Sequence, residues 1–227
     1  MPESLDIGLI LFPDFQWLDA AGTVDLLNNH SHGFLSEAGI PKETLRRAPI
    51  INWHYISSDL EEVNASSGPP LRPTTTIETC PPLDYIIVPG PKLDLKLSEA
   101  WINFFRQRYE DPNLRGILLV CTASLAVSQT GILDGLNVCS NKIALRSFAE
   151  KGLINKKVKW VKDRRWIVDG KVWSSAGITA GLDLAAAFAR AHIHKEVIEV
   201  ALEISEYTPL PDKPDVFAYI LDGIDVS

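Results

Sequence analysis

Short, strongly apolar runs alternate along the chain with longer segments in which apolar residues recur at helical spacing. Near-continuous apolar runs are typical of parallel strands that are covered on both faces of a sheet. Such strands are predicted at residues 7–12, 50–56, 85–88 and 116–120. Helices are predicted at residues 17–28 and, after Ser98 as N-cap, at residues 99–109.

The second half of the chain continues this alternation. Further helices are predicted at residues 122–130, 179–190 and 195–207, and short strands at residues 158–161, 166–168 and 172–174. Asp169-Gly170 is a typical type I′ turn, which would join the last two strands in a small β-hairpin. The order predicts an α/β fold of the flavodoxin-like kind, with a mostly parallel central sheet flanked by helices on both faces. We expect residues 1–227 to form a single domain.

Composition and charge indicate which classes of binding partner the protein is expected to lack. The 227 residues contain 22 Lys+Arg against 29 Asp+Glu, and the net charge of -7 argues against nucleic-acid binding. One basic stretch, residues 156–165, is expected to lie on a solvated strand edge. No apolar run is long enough to span a bilayer, and the N-terminus lacks the features of a signal peptide. A cytoplasmic protein without a membrane partner is therefore expected.

The chain lacks the usual motifs of cofactor and metal sites. Its three cysteines are irregularly spaced, so disulfides and zinc clusters are not expected. His192 and His194 would diverge on a helix, and His30 and His32 lie in a long connection that could bring a histidine to a cleft. There is no dinucleotide-binding, P-loop, zinc-protease or serine-hydrolase motif, so we expect neither cofactor nor metal.

Cys121 stands where a nucleophile would be effective. It follows the most apolar predicted strand and precedes a helix, and ligands in open α/β sheets bind at such strand ends. A helix N-terminus also favours the thiolate. A buried structural cysteine is an equally open interpretation of this position alone.

Four segments together resemble the ThiJ/PfpI superfamily, whose fold is that of class I glutamine amidotransferases. They occur in the family's order and are most similar to its isonitrile hydratase branch. The segments are LFPDFQWLDAAG at 11–22, PLDYIIVPG at 82–90, VCTASL at 120–125 followed by GILDG at 131–135, and DRRWIVDGKVWSSAGITAGLD at 163–183.

The resemblance implies roles for four residues. Cys121 would be the nucleophile, and Asp19 would hydrogen-bond its sulfur and shuttle a proton. Thr122 would supply an N–H and a hydroxyl beside the nucleophile, and Gly90 would lie on the oxyanion side. Asp19 also fits the simpler interpretation of an acid in the first turn of a helix.

Two departures from the family pattern bear on the reaction. Pro91 replaces a second glycine after Gly90, and proline has no N–H to donate. Asn141-Lys142 stands where many amidotransferase-like relatives have a catalytic histidine. A Cys-His pair for amide hydrolysis is therefore poorly supported.

The resemblance implies a cofactor-free, cysteine-dependent enzyme that adds water to a small electrophile, with an isonitrile hydratase-like lyase as the most specific expectation. A glyoxalase-like or specialised-metabolite enzyme of the same superfamily is an alternative. A non-enzymatic redox or ligand sensor that uses Cys121 is another. The expected partners are a small-molecule substrate and a second copy of the chain in a homodimer, and we expect no DNA-binding extension.

Overall fold

A seven-stranded sheet forms the centre of the computed structural model, which describes residues 2–226. The strands are β1 (Ser4–Ile10), β2 (Ile50–Ser57), β3 (Thr75–Thr76), β4 (Tyr85–Val88), β5 (Gly116–Leu119), β6 (Asn137–Val138), β7 (Lys159–Trp160), β8 (Trp166–Asp169) and β9 (Val172–Ser175). The strand order is β3-β2-β1-β4-β5-β9-β8, and β6 pairs with β7 in a separate ribbon. All pairs are parallel except β8 with β9. The predicted mostly parallel α/β sheet is confirmed.

Helices cover both faces of this sheet. They are α1 (Trp17–Asn28), α2 (His32–Glu37), α3 (Lys42–Leu45), α4 (Glu99–Glu110), α5 (Ala123–Val127), α6 (Lys142–Glu150), α7 (Ala180–His192) and α8 (Lys195–Ser205). Two short 3₁₀ turns, Ser128–Thr130 and Ala218–Leu221, complete the set. Within residues 2–226 no helix is both long and apolar enough to cross a membrane.

The strand residues divide between two cores because successive side chains of a strand point to opposite faces. Ile86 and Val88 join the core that α4, α5 and α6 cover, in which Trp101, Phe104 and Phe105 of α4 are packed. Tyr85 and Ile87 of the same strand join the core beneath α1 and α7. Both faces of β4 and β5 are fully buried, which explains why their sequences are continuously apolar.

The predicted helices and strands agree with the structure apart from their ends. Helix α1 and strand β4 have the predicted limits, and the Ser98 hydroxyl caps α4 by accepting from the Trp101 N–H. The predicted helix 122–130 is shorter, because α5 passes into a 3₁₀ turn that ends at left-handed Gly131. The expectation of a single domain over residues 1–227 stays a prediction.

The β8–β9 hairpin is confirmed, but the predicted turn type is wrong. Asp169 pairs with Val172, so Gly170 and Lys171 form the two-residue loop. Gly170 has φ 58° and Lys171 does not have a positive φ. Glycine alone at the first loop position is typical of a type II′ turn, whereas type I′ requires positive φ at both.

The basic stretch is only partly a solvated edge. Arg165 is 6% exposed, and its Nε and Nη2 both donate to Oδ2 of buried Asp183, at 2.9 and 2.5 Å. The same carboxylate accepts from the Tyr207 hydroxyl and the Leu210 N–H. These contacts fix the segment after α8 against α7, so Arg165 is a structural ion-pair partner.

A second buried ion pair fixes the end of the chain beside α6. Lys142 Nζ lies 3.0 Å from Asp215 Oδ2, and both side chains are at most 3% exposed. Lys142 also donates to the Arg164 carbonyl at 2.9 Å. Removing one partner from such a pair leaves the other charge buried without compensation.

We therefore expect Asp215→Ala to lower the free energy of unfolding by about 3–5 kcal/mol. Replacing Lys142 with Met in the same chain would restore part of this loss, because the buried charge is then gone. Urea unfolding measures both. Glu150→Ala is the matched control on α6, since its ion pair with Arg146 is about half exposed and exposed pairs contribute roughly 0–1 kcal/mol. Equal losses in the two single variants would contradict the assignment.

Candidate active site

Cys121 occupies the turn between β5 and α5, at the carboxyl edge of the sheet. Its backbone has φ 61°, a left-handed conformation that is strained for a residue with a side chain. Its carbonyl oxygen accepts from the Ser140 hydroxyl at 3.0 Å and from the Asn141 N–H at 3.3 Å. These donors, just before α6, hold the strained turn, and the thiol faces a cleft from a position that is 6% exposed.

The cleft has a volume of about 660 Å³ and lies where the loops after β1, β4 and β5 meet. Its lining comprises Asp14, Gln16, Ser66, Gly90, Pro91, Lys92, Leu93, Cys121, Thr122, Asn141, Ile143, Ala144 and Ile178. Parallel strands end at the same edge of a sheet, which is why these loops converge.

Asp19 lies close enough to Cys121 for each group to shift the pKa of the other. It is in the first turn of α1, is completely buried, and accepts the Gly90 N–H at Oδ2 over 3.0 Å. Burial raises the pKa of this carboxyl to about 7, although hydrogen bonds from the Gly90 N–H and from Cys121 lower it. A carboxyl with this pKa is about half ionised at neutral pH, so it can accept or donate a proton there.

Gly90 permits this approach because it has no side chain. A Cβ at Gly90 would lie 2.6 Å from Thr122 Oγ1 and 2.8 Å from Asp19 Oδ2. Thr122 Oγ1 donates to the Pro91 carbonyl at 2.7 Å, which joins this loop to the elbow. The Gly90 N–H is already committed to Asp19. The missing N–H of Pro91 therefore affects none of these contacts, and Pro91 contributes through its carbonyl.

The electrostatics around Cys121 keep it a thiol. Burial raises its pKa to about 11, and the negative charge of Asp19 adds to the rise. Hydrogen bonding by the N–H groups of Ile178 and Thr122 and by the side chain of Asn141 lowers the pKa of Cys121. Cys121 and Asp19 thus share the site as one coupled acid pair.

Asn141 is a functional candidate that the sequence reasoning treated only as a departure. Its Oδ1 caps α6 by accepting from the Ala144 N–H at 3.1 Å. With the oxygen held there, the amide NH₂ is the group free to hydrogen-bond the Cys121 sulfur. A Cβ on Gly177 would lie 2.6 Å from this nitrogen, so the glycine leaves room for it. An asparagine before a helical segment is a signal that the sequence contains. The direction of its NH₂ group becomes known only from the structure.

The histidines lie elsewhere. His30 is fully buried, and its Nδ1 hydrogen-bonds the Leu26 carbonyl at 2.8 Å. None of the residues that line the cleft is a histidine. Trp17, two residues before Asp19, packs against Phe15 and beside Gly68 and does not line the cleft. Within residues 2–226 no group of three or more His, Cys, Asp or Glu side chains could hold a metal ion.

Asp19→Asn tests the coupling between the two acids. The amide can still accept the Gly90 N–H, but it carries no charge, so the pKa of Cys121 should fall. Each unit of decrease raises the thiolate fraction at neutral pH about tenfold. We expect faster alkylation of Cys121 by iodoacetamide, measured on its peptide by mass spectrometry. Slower alkylation than in the wild type would contradict the coupling.

Asn141→Ser separates capping from hydrogen bonding to the sulfur. Serine caps a helix as well as asparagine does, but its short side chain cannot also reach the thiol. We expect a higher pKa of Cys121, seen as a shift of the alkylation rate–pH profile to higher pH, with the thermal midpoint retained. Ser98→Asn exchanges the same residue types at the cap of α4 and serves as the control. An unshifted profile would show that Asn141 acts only as a cap.

Comparisons with known proteins relate the chain to one family. The sequence model of the DJ-1/PfpI family matches residues 13–191. Isonitrile hydratase of Pseudomonas putida is 31% identical over 213 residues, which cover 92% of this chain and 81% of that protein. The HTH-type transcriptional regulator GbdR of Pseudomonas aeruginosa is 24% identical, and the match covers 81% of this chain but only 45% of the regulator.

The fold is also similar to solved structures of the same family. The crystal structure of a ThiJ/PfpI family protein from Pseudomonas syringae has a TM-score of 0.73 to this chain at 22% identity, over 92% of this chain and 78% of that one. The match of the family model over most of the chain and the similarity to isonitrile hydratase lead to one conclusion: the chain belongs to the DJ-1/PfpI family.

Proposed function

We propose that this protein is a hydro-lyase that adds water to an isonitrile, R–N≡C, and releases an N-substituted formamide. The observation that carries the proposal is the completely buried Asp19 carboxyl at the elbow cysteine, whose pKa burial raises to about 7. The 31% identity to isonitrile hydratase supports the choice of substrate. The reaction needs a nucleophile and one group that moves protons, and the pair supplies both.

In the first step the Cys121 sulfur attacks the terminal carbon of the isonitrile. Asp19, as carboxylate, takes the thiol proton and delivers it to that carbon, which gives the thioimidate Cys–S–CH=N–R. Moving the proton within the pair avoids a free thiolate, whose formation the high pKa of Cys121 opposes. The hydrogen bonds from Ile178, Thr122 and Asn141 stabilise the negative charge on sulfur as it develops.

Water then completes the reaction. Its oxygen bonds to the thioimidate carbon while Asp19 takes one of its protons and transfers it to nitrogen, which gives Cys–S–CH(OH)–NH–R. Loss of the hydroxyl proton forms the carbonyl and breaks the C–S bond, and the sulfur recovers a proton through Asp19. The sum is R–N≡C plus water to R–NH–CHO, with the pair returned to its starting state.

Acyl transfer fits the cleft less well. Its first step, attack of the sulfur on a carbonyl carbon, develops an oxyanion that requires hydrogen-bond donors. The Gly90 N–H is already used by Asp19. Attack of the sulfur on an isonitrile carbon develops no oxyanion, and in the later addition of water Asp19 itself moves the proton to nitrogen, so this feature opposes the isonitrile reaction less.

A ligand-sensing role is the second candidate, favoured by the similarity to the regulator GbdR. The burial that keeps Cys121 protonated also slows its oxidation, since the thiolate is the form that oxidants attack. Reversible ligand binding in the cleft therefore fits this candidate better than redox sensing.

Turnover of cyclohexyl isocyanide tests the proposal. We expect formamide production by the wild type and a loss of about 10³-fold or more in Cys121→Ala and in Asp19→Asn. Cys80→Ala is the control, because Cys80 lies outside the cleft and its thiol donates to the Pro81 carbonyl. If the wild type is inert but the cleft binds isonitriles reversibly, the sensor replaces the enzyme.

The pH profile gives a separate prediction. The active form has an ionised Asp19 and a protonated Cys121, so kcat/KM should rise as the pH increases through about 7 and fall only near about 11. In Asp19→Asn any residual activity should lack the lower limb. A lower limb near pH 4 in the wild type would contradict the raised pKa of Asp19, because an exposed aspartate titrates there.

A further inference from the structure

Ile178 has a backbone conformation that a β-branched residue rarely adopts. It lies in the turn between β9 and α7 with φ 33°, in the region that favours glycine. Its N–H lowers the pKa of the Cys121 thiol. A glycine would supply that N–H with less strain. What isoleucine adds is an apolar side chain beside the nucleophile.

That side chain is not used for packing the core. Ile178 is 36% exposed, and it lines both the catalytic cleft and a second cavity of about 370 Å³. The two cavities share the lining residues Asn141, Ile143 and Ile178, so the second cavity adjoins the cleft of Cys121 on the side of these residues. Phe217 and Ile220 from the C-terminal segment form the far wall of the second cavity.

The second cavity has an apolar rim and charged residues that are already paired. Ile143 is 63% exposed and Phe217 is 51% exposed, which is unusual for large apolar side chains flanking a cleft. At its base, Lys142 pairs with Asp215, and Arg165 pairs with Asp183. These charged side chains are therefore neutralised by each other. A charged group on a ligand would find no charged partner at the apolar rim.

We infer that the cavity between Ile143, Ile178 and Phe217 holds the substituent R of the substrate, and that this substituent is bulky, apolar and uncharged. The inference rests on the proposed function for the reacting group, and it assigns the rest of the molecule. Phe217 lies beyond residues 13–191, the part that the family model matches. The far wall is therefore built from a segment outside the matched part of the fold.

Alkylation of Cys121 tests the cavity without relying on isonitrile turnover. The probes are N-methylmaleimide and N-cyclohexylmaleimide, with each rate divided by the rate of the same reagent with free cysteine. We expect the wild type to favour the cyclohexyl reagent about tenfold, the discrimination that apolar contacts of this size give. The rates are followed on the Cys121 peptide by mass spectrometry.

Ile178→Gly and Phe217→Ala should each reduce this preference to near unity, and the glycine variant should be at least as thermally stable as the wild type because its strain is relieved. Leu60→Ala is the matched control, since Leu60 is 50% exposed and lines neither cavity. A wild type without preference, or a preference that both variants keep, would overturn the inference. Phe217→Ala that alters the oligomeric state without altering the preference would instead assign this surface to a second copy of the chain.

Different results would contradict the proposed reaction and the proposed apolar subsite. With methyl and cyclohexyl isocyanide as substrates, the same variants should raise KM for the cyclohexyl compound about tenfold more than for the methyl compound. Inert isonitriles with an intact maleimide preference would remove the proposed reaction but keep the apolar subsite. Turnover that is indifferent to the substituent would keep the reaction and remove the subsite.

Discussion

The left-handed backbone at Cys121 is the constraint on which the site depends. A residue with a side chain reaches φ 61° only when its surroundings hold it there. Strand β5 is buried on both faces before the turn, and the Ser140 hydroxyl and Asn141 N–H bind the Cys121 carbonyl after it. The sulfur is thereby held over Asp19, and Gly90 leaves the space in which the two meet.

Burial gives the pair its chemistry. It raises both pKa values, that of Asp19 to about 7 and that of Cys121 to about 11. An exposed pair would separate into thiol and carboxylate with no tendency to exchange protons near neutral pH. In the cleft the charge of Asp19 also raises the pKa of Cys121, while groups from three different loops, at Thr122, Asn141 and Ile178, lower it. In the proposed reaction a carboxyl and fixed N–H groups would take the place of the histidine of a Cys-His pair.

The central sheet could be predicted from the sequence because buried parallel strands are continuously apolar. Cys121 and Asp19 could be proposed as site residues because they lie in the motifs that resemble the family. Arg165 could not be placed, because its neighbours are charged and its partner Asp183 becomes adjacent only when α7 packs on the sheet. The position of the Asn141 NH₂ group could not be predicted for a related reason. Only the structure shows that the amide oxygen caps α6 and leaves the NH₂ group free. The second cavity combines α6, the β9–α7 turn and the C-terminal segment, and no local pattern joins them.

The Lys142–Asp215 ion pair has a consequence for synthesis of the protein. The elbow, its carboxyl partner and all strands of the main sheet are translated before Asp215 and Phe217 leave the ribosome. Until then the buried Lys142 lacks its carboxylate partner, and the second cavity lacks the wall that Phe217 and Ile220 form. The second cavity is therefore completed only after every residue that lines the cleft of Cys121 has been translated.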